Sequence, residues 1–322
     1  MKILKGIKKG VRLADYSTIK IGGRAKYFAE VSNLNQLKKL IKWAKEGNLP
    51  FFILGNGSNT LFDDSGFSGL IIKIKNDKIL KEKKNSLVIG AGYLLNDLVR
   101  KGIEKGFTGY EWLNGIPGTI GGAVYGNAGA FGFQMKDLVL KVKTINPSTL
   151  KEKQYSNKDC KFKYRSSIFK ENKEIIWEVE ILKKKGNKEE IKEKSLSYLK
   201  TKVEKKMFSY PSLGSVFKNV LIRETPYKRY FNPKQQEVTI KGEKVKASQG
   251  KVSSGFFIEK CGLKGKRKND AQIADFHANV IINLNKAKAK DVLYLLNLIK
   301  DKVFKKFKIE LQEEIVILKN SF

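Results

Sequence analysis

Apolar side chains recur along this chain at two spacings, and each spacing predicts an element. Leu34, Leu37, Leu40, Ile41 and Ala44 fall on one face of a helix that Gly47 stops. Residues 19–21 are predicted as a strand entering Gly22-Gly23, and residues 51–54 as a buried strand running into Gly55-Asn56-Gly57-Ser58-Asn59. Residues 70–74 and 87–89 read as further strands, after which Leu94, Leu95, Leu98, Val99 and Ile103 return to the helical period. Residues 139–145 and 175–182 alternate apolar and polar positions as half-solvated strands do. A Lys- and Glu-rich stretch over 183–206 is expected to be a solvated helix at a domain boundary, with a second domain from about Met207. Val292, Leu295, Leu296, Ile299, Val303 and Phe304 define a last amphipathic helix, and residues 309–318 a closing strand.

Two segments break this pattern with glycine. Gly55-Asn56-Gly57-Ser58-Asn59 follows a buried strand, where glycine allows main-chain amides to approach an anion closely, and Ser58 and Asn59 add side-chain donors. The segment lacks the third glycine of the dinucleotide fingerprint and the Gly-Lys-Ser/Thr of a P-loop. Taken alone it is equally the composition of a tight surface turn. The second segment, Gly115-Ile116-Pro117-Gly118-Thr119-Ile120-Gly121-Gly122-Ala123 with Asn127, Ala128 and Gly129 beyond it, is too rich in glycine for a turn. Glycine is costly to order. Backbone wrapped against a flat cofactor with a diphosphate tail accounts for it.

Composition narrows the class. The chain has 322 residues, enough for two or three domains, with 41% hydrophobic and 30% charged residues. Residues 112–135 are uncharged, yet their glycines, proline, asparagines and glutamine are wrong for a membrane span. The N-terminal residues 1–16 alternate Lys with single apolar residues and build no signal-peptide core, so a cytoplasmic location is expected. Cys160 and Cys261 are the two cysteines, with no metal-site spacing. The net charge of +33 would attract nucleic acid, anionic lipid or phosphorylated small molecules. Only seven of the 65 basic residues are Arg, whose planar fork is the better reader of bases and phosphates. The excess of Lys, Asn and Ile reads as compositional drift.

Seven motifs in order then carry a resemblance: Ser17-Thr18-Ile19-Lys20-Ile21-Gly22-Gly23, Leu54 to Asn59, Gly115 to Ala130, Tyr164-Arg165-x-Ser167, Gly214-Ser215-Val216-Phe217-Lys218-Asn219, Gly262-Leu263-Lys264-Gly265 and Leu311-x-x-Glu314. Together they resemble the UDP-N-acetylenolpyruvoylglucosamine reductase family, also called UDP-N-acetylmuramate dehydrogenase, of peptidoglycan precursor synthesis. The resemblance implies an α+β fold: a two-subdomain FAD-binding unit of the vanillyl-alcohol-oxidase type and a C-terminal α/β substrate-binding domain. The expected boundaries are 1–78 for the first subdomain with a returning strand at 310–322, 79–206 for the second, and 207–309 for the substrate domain.

The resemblance also implies non-covalent FAD, NADPH as co-substrate and a UDP-sugar as substrate. Gly55, Asn56, Gly57, Ser58, Asn59, Gly115, Pro117, Gly118, Thr119, Gly121, Gly122, Ala123, Asn127 and Gly129 are the expected cofactor residues. Ser215 is expected to donate a proton to the reduced enolpyruvyl group, and Arg165 and Glu314 to hold and polarise its carboxylate. Tyr164, Asn219, Lys264 and His277 are the expected substrate contacts. Glu314 beside a substrate carboxylate predicts that it is protonated or paired. A monomer without specific nucleic-acid or membrane partners is expected. The alternatives are another flavin oxidoreductase on the same scaffold and a non-catalytic basic nucleic-acid-binding protein.

The chain departs from the family pattern in several places. Met207 to Pro211 replaces a usual Gln-Pro, Lys268-Asn269-Asp270 stands where glycines are expected, and Arg24 replaces a proline. The interval from Arg165 to Ser215 is short, as in the subgroup lacking a tyrosine-bearing loop. An insert at about 220–253 contains an alternating segment, residues 237–245, expected to form a hairpin around Gly242.

Overall fold

A computed structural model describes residues 2–320. Met1 and the last two residues of the expected returning segment, 321 and 322, lie outside the described residues.

The first sheet has the order Lys8–Arg12, Arg24–Val31, Phe67–Ile74, Phe51–Leu54, with the last three strands parallel. Helix α1, Leu34–Glu46, begins where Asn33 accepts the Gln36 N–H and ends at Gly47, as its apolar period predicts. The second sheet is antiparallel, with the order Glu152–Ser156, Val139–Ile145, Ile175–Leu182, Ser86–Gly90, Ile79–Glu82. Helices α2 (Leu95–Lys105) and α3 (Ile120–Tyr125) accompany it, followed by α4 (Ile168–Asn172) and α5 (Lys188–Glu204). One continuous core joins both sheets, running from Val31, Leu37 and Ile72 to Leu87, Val142 and Val179. Burial on that scale outweighs any one element's propensity.

A third antiparallel sheet has the order Ser212–Ser215, Val280–Asn283, Ala271–Ile273, Arg267–Lys268. Helices α6 (Ser254–Lys260) and α7 (Ala289–Phe307) flank it around a second core that includes Leu213, Phe217, Ile281 and Leu295. The 220–253 segment holds a small sheet of Phe231–Asn232, Glu237–Ile240 and Glu243–Lys246. Its hairpin turns at Lys241 and Gly242, with φ of 49° and 83°, the paired positive values that a tight two-residue turn demands.

Three expected elements are corrected. Residues 19–21 form no strand: Lys20 has φ of 60°, and the turn sends Ile19 and Ile21 separately into the second core, both almost fully buried. Their alternation records two anchors around a turn, which a period-two pattern cannot distinguish from a strand. The closing strand over 309–318 is reduced to Val316–Leu318, parallel to Thr60–Phe62. Ile309, Leu311 and Ile315 are buried in the second core without forming a ladder. The helix expected over 183–206 begins at Lys188, because Asn187 caps it, while Lys184–Lys185 pairs with Phe107–Thr108.

Candidate active site

The two glycine-rich segments lie against each other. The Asn56 side-chain amide donates to the Pro117 carbonyl at 2.8 Å. A Cβ on Gly55 would lie 2.8 Å from Thr119 Oγ1, and one on Gly118 would lie 3.9 Å from Ser58 Oγ. Gly57 has φ of 62°, and a Cβ there would stand 1.9 Å from the Tyr16 carbonyl oxygen, so only glycine fits. Among the described residues, the main-chain N–H groups of Asn56, Gly57, Ser58 and Asn59 find no acceptor in the protein. Four consecutive free donors on a glycine-containing loop form a nest for an anion. Lys73, its ammonium 3.0 Å from the Gly55 carbonyl, adds positive charge at the base of the loop.

The second segment connects this cradle to Arg165. Thr119 caps α3 by accepting the Gly122 N–H. Beyond that helix the Asn127 amide donates to the Lys163 carbonyl at 2.9 Å, and the Ser167 hydroxyl donates to the Tyr125 carbonyl at 2.7 Å. The Tyr164-Arg165 turn is closed by mutual main-chain bonds of Lys163 and Ser166. Arg165 itself has φ of 53°, a sparsely populated conformation for a non-glycine residue that the surrounding bonds impose. The Lys170 ammonium supplies one of them, to the Arg165 carbonyl at 2.8 Å. Gly129 leaves room for the guanidinium: a Cβ there would lie 3.3 Å from Arg165 Nη1.

Arg165, Ser215 and Glu314 meet beside this cradle. Arg165 Nε is 2.6 Å from Glu314 Oε1, each side chain about one-fifth exposed. Charge attraction holds this close pair, and among the described residues the Nε–H meets no acceptor in line. Burial pushes the Glu314 carboxyl above its ordinary value, while Arg165 and Lys170 pull it back. The Glu314 N–H donates to the Val216 carbonyl at 2.8 Å, placing Glu314 one residue from Ser215 along the neighbouring backbone. Its carbonyl accepts from the Asn59 side chain at 3.0 Å, which ties the carboxylate's backbone to the anion nest. Ser215 follows Gly214, whose φ is 69°, at a shift in register against Val280–Asn283. Such a bulge re-aims the next side chain. The Ser215 hydroxyl, half-exposed, makes no hydrogen bond with the described residues.

Of the expected substrate residues, Tyr164 and Asn219 meet: the Asn219 N–H donates to the Tyr164 hydroxyl at 3.0 Å. The Lys251 ammonium, from the end of the insert, sits 4.5 Å from the Tyr164 ring centre. His277 is next to the Ser215 strand, with Nδ1 accepting the Asn279 N–H at 3.2 Å. Burial lowers its pKa, and neighbouring Lys205 and Lys264 assist, so it is neutral near pH 7. Lys264 is paired with Glu259 at 3.2 Å. Gly115, Gly121, Ala123 and Asn127 make internal contacts. Gly115 packs under Phe208, Gly121 against Ala91, and Ala123 is buried. The fully buried Asn127 uses its amide on Gln134 and Lys163 and its oxygen on Lys136. Two neighbours escaped the sequence reading, Lys170 and Asn279. Lys170 is one lysine among many, and Asn279 bonds to residues far away in the chain.

Comparison with known proteins bears on this arrangement. Residues 25–149 match the family profile described as an FAD binding domain. Residues 205–318 match the profile of the UDP-N-acetylenolpyruvoylglucosamine reductase C-terminal domain. The chain is 35% identical over 307 residues to a UDP-N-acetylenolpyruvoylglucosamine reductase of Carboxydothermus hydrogenoformans, covering 95% of this chain and 92% of that one. It is 34% identical to a protein of the same name from Solibacter usitatus, covering 94% of each. The crystal structure of a UDP-N-acetylenolpyruvylglucosamine reductase from Thermus caldophilus superposes with a TM-score of 0.75 at 30% identity, over 97% of this chain and 99% of that one.

Proposed function

The chain belongs to the UDP-N-acetylenolpyruvoylglucosamine reductase family, and from that membership we propose that Arg165, Ser215 and Glu314 carry its chemistry. It is an FAD-containing oxidoreductase that uses NADPH to reduce UDP-N-acetylglucosamine enolpyruvate to UDP-N-acetylmuramate, a step of peptidoglycan precursor synthesis. FAD bound there would supply the hydride chemistry that links NADPH to the enolpyruvyl double bond. The free donors of Asn56 to Asn59 suit its diphosphate, with Ser58 and Gly118 on the facing walls.

The protein's own part is placement and charge control. After hydride arrival the substrate holds negative charge spread between the carbon bearing the carboxylate and the carboxylate oxygens. Arg165, its forked guanidinium held beside Glu314, receives that carboxylate and stabilises the developing charge. Glu314, paired with Arg165 and raised in pKa by burial, can share a proton with it instead of repelling it. Ser215, whose hydroxyl is free, delivers the proton that completes the saturated product. A hydroxyl is a weak acid, so this works because a carbanion or enolate is a far stronger base. Tyr164 and Asn219 close the nucleotide-sugar side.

The observation that carries this reading is the convergence of Arg165, Glu314 and the Ser215–Val216 backbone beside the anion nest. No helix among the described residues is long and apolar enough to cross a membrane. The same reading takes the enzyme to be a cytoplasmic monomer that needs no nucleic acid. The purified chain should be yellow, bleach with NADPH when oxygen is excluded, and regain its colour when the enolpyruvyl sugar is added. Bleaching without recovery would contradict the substrate assignment. A colourless protein with tight, salt-steep DNA binding would contradict the whole reading.

A further inference from the structure

A serine hydroxyl turns about one bond, so where its proton can go is set by where its backbone stands. The ladder holding Ser215 is interrupted: Ser212 pairs with Ile282 and Ser215 with Val280, so the serine strand carries one extra residue in the interval, beside Gly214. Beyond Val280 the partner strand ends. One buried residue continues the pairing on this edge with both its main chain and its side chain, while the other edge of the segment is bonded to Gln312 and Glu314. Asn279, only 2% exposed, accepts the Phe217 N–H through Oδ1 at 3.0 Å and donates from Nδ2 to the Phe217 carbonyl at 2.8 Å. Its main-chain carbonyl accepts the Val216 N–H at 2.9 Å, and its own N–H goes to His277 Nδ1 at 3.2 Å. The Val216 carbonyl, held in this way, accepts the Glu314 N–H. Asn279 thus takes the place of a strand on the edge where the ladder fails, its amide holding both polar groups of Phe217, and two proposed catalytic groups hang from the segment it grips.

We infer that Asn279 is the positioning residue that fixes the Ser215 hydroxyl relative to Glu314. The inference rests on the proposed role of Ser215 as proton donor. Removing one side chain from a buried, fully paired amide leaves both polar groups of Phe217 unsatisfied, and the backbone shifts to recover them. Proton transfer is steeply sensitive to such a shift, whereas reduction of the flavin by NADPH calls for no proton from Ser215.

The test is a double-mutant cycle on the flavin-loaded enzyme: Asn279→Ser and Asn279→Ala, each alone and combined with Ser215→Ala, with the two half-reactions followed separately. The Asn279 variants are expected to bind flavin and to be reduced by NADPH as the parent enzyme does. Their half-saturating substrate concentration should be unchanged, while the limiting rate of flavin reoxidation falls on the order of 10-fold. In the Ser215→Ala background the Asn279 substitutions should cost nothing further. Additive losses, equal losses in both half-reactions, or failure of both Asn279 variants to retain flavin would overturn the inference, since each shows a general support of the fold. If Ser215→Ala alone reoxidised at the parent rate, the serine assignment itself would fall, and the inference with it.

Discussion

Glu314 is the residue whose chemistry is most exposed to test. Burial favours its protonated form in the folded chain, and Arg165 and Lys170 only partly offset this. The folded protein therefore holds a proton at pH values where the unfolded chain, with an ordinary Glu near 4.3, has released it. That contribution to stability is complete below the unfolded value and is lost as pH rises through the raised folded value. Relative to Glu314→Gln, the parent protein should lose stability as pH rises through this window and change no further above it. Denaturant midpoints of both proteins across the weakly acidic range check this, and a difference that grows in the parent's favour with pH would contradict it. Arg165, Ser215 and Glu314 were singled out by the family resemblance, each within a short contiguous motif. Asn279 stayed hidden, because the Phe217 backbone it pairs with lies 62 positions away. The departure at Lys268-Asn269-Asp270 is also explained at this scale. Asn269 has φ of 49° and bonds to Asp291, so asparagine occupies a backbone position that glycine could take.

At the scale of elements, loops and turns whose chemistry is contained in a few neighbours were readable, and those shaped by distant partners were not. The Lys241-Gly242 hairpin follows from alternation around a glycine, and helix α1 from its period and the stop at Gly47. Residues 19–21 and 309–315 misled because burial in a core alternates whether or not a strand forms. The nest loop makes the sharpest element-level prediction. Gly57→Ala meets both a positive φ and the Tyr16 carbonyl, whereas Gly10→Ala, at a φ of 63°, meets nothing within 4 Å. Gly10→Ala should therefore cost only the conformational term, about 1 kcal/mol, and leave flavin content intact. Gly57→Ala should cost more and deplete flavin. Flavin absorbance per mole of protein, with thermal midpoints, distinguishes them; full flavin occupancy in Gly57→Ala would remove this loop from the cofactor site.

At the scale of the molecule, the two largest cores divide the work. One unites the first two sheets under the cradle, and the other builds the C-terminal sheet that carries Ser215. The proposed site lies where the chain crosses between them: Asn59 grips the Glu314 backbone, which in turn grips Val216, and Arg165 reaches Glu314 from the second sheet's side. The net charge of +33 gives the whole surface an attraction for anionic substrates, but the named contacts supply the specificity. The division of labour was legible from the order of motifs, whereas the meeting of three distant segments required the fold. Rapid mixing of Ser215→Ala with NADPH, and then of the reduced enzyme with enolpyruvyl sugar, addresses the central claim most directly. Flavin reduction should proceed at the parent rate while reoxidation by substrate slows by a factor on the order of 100, as expected for loss of a proton donor. Equal slowing of both steps, or unimpaired reoxidation, would contradict it.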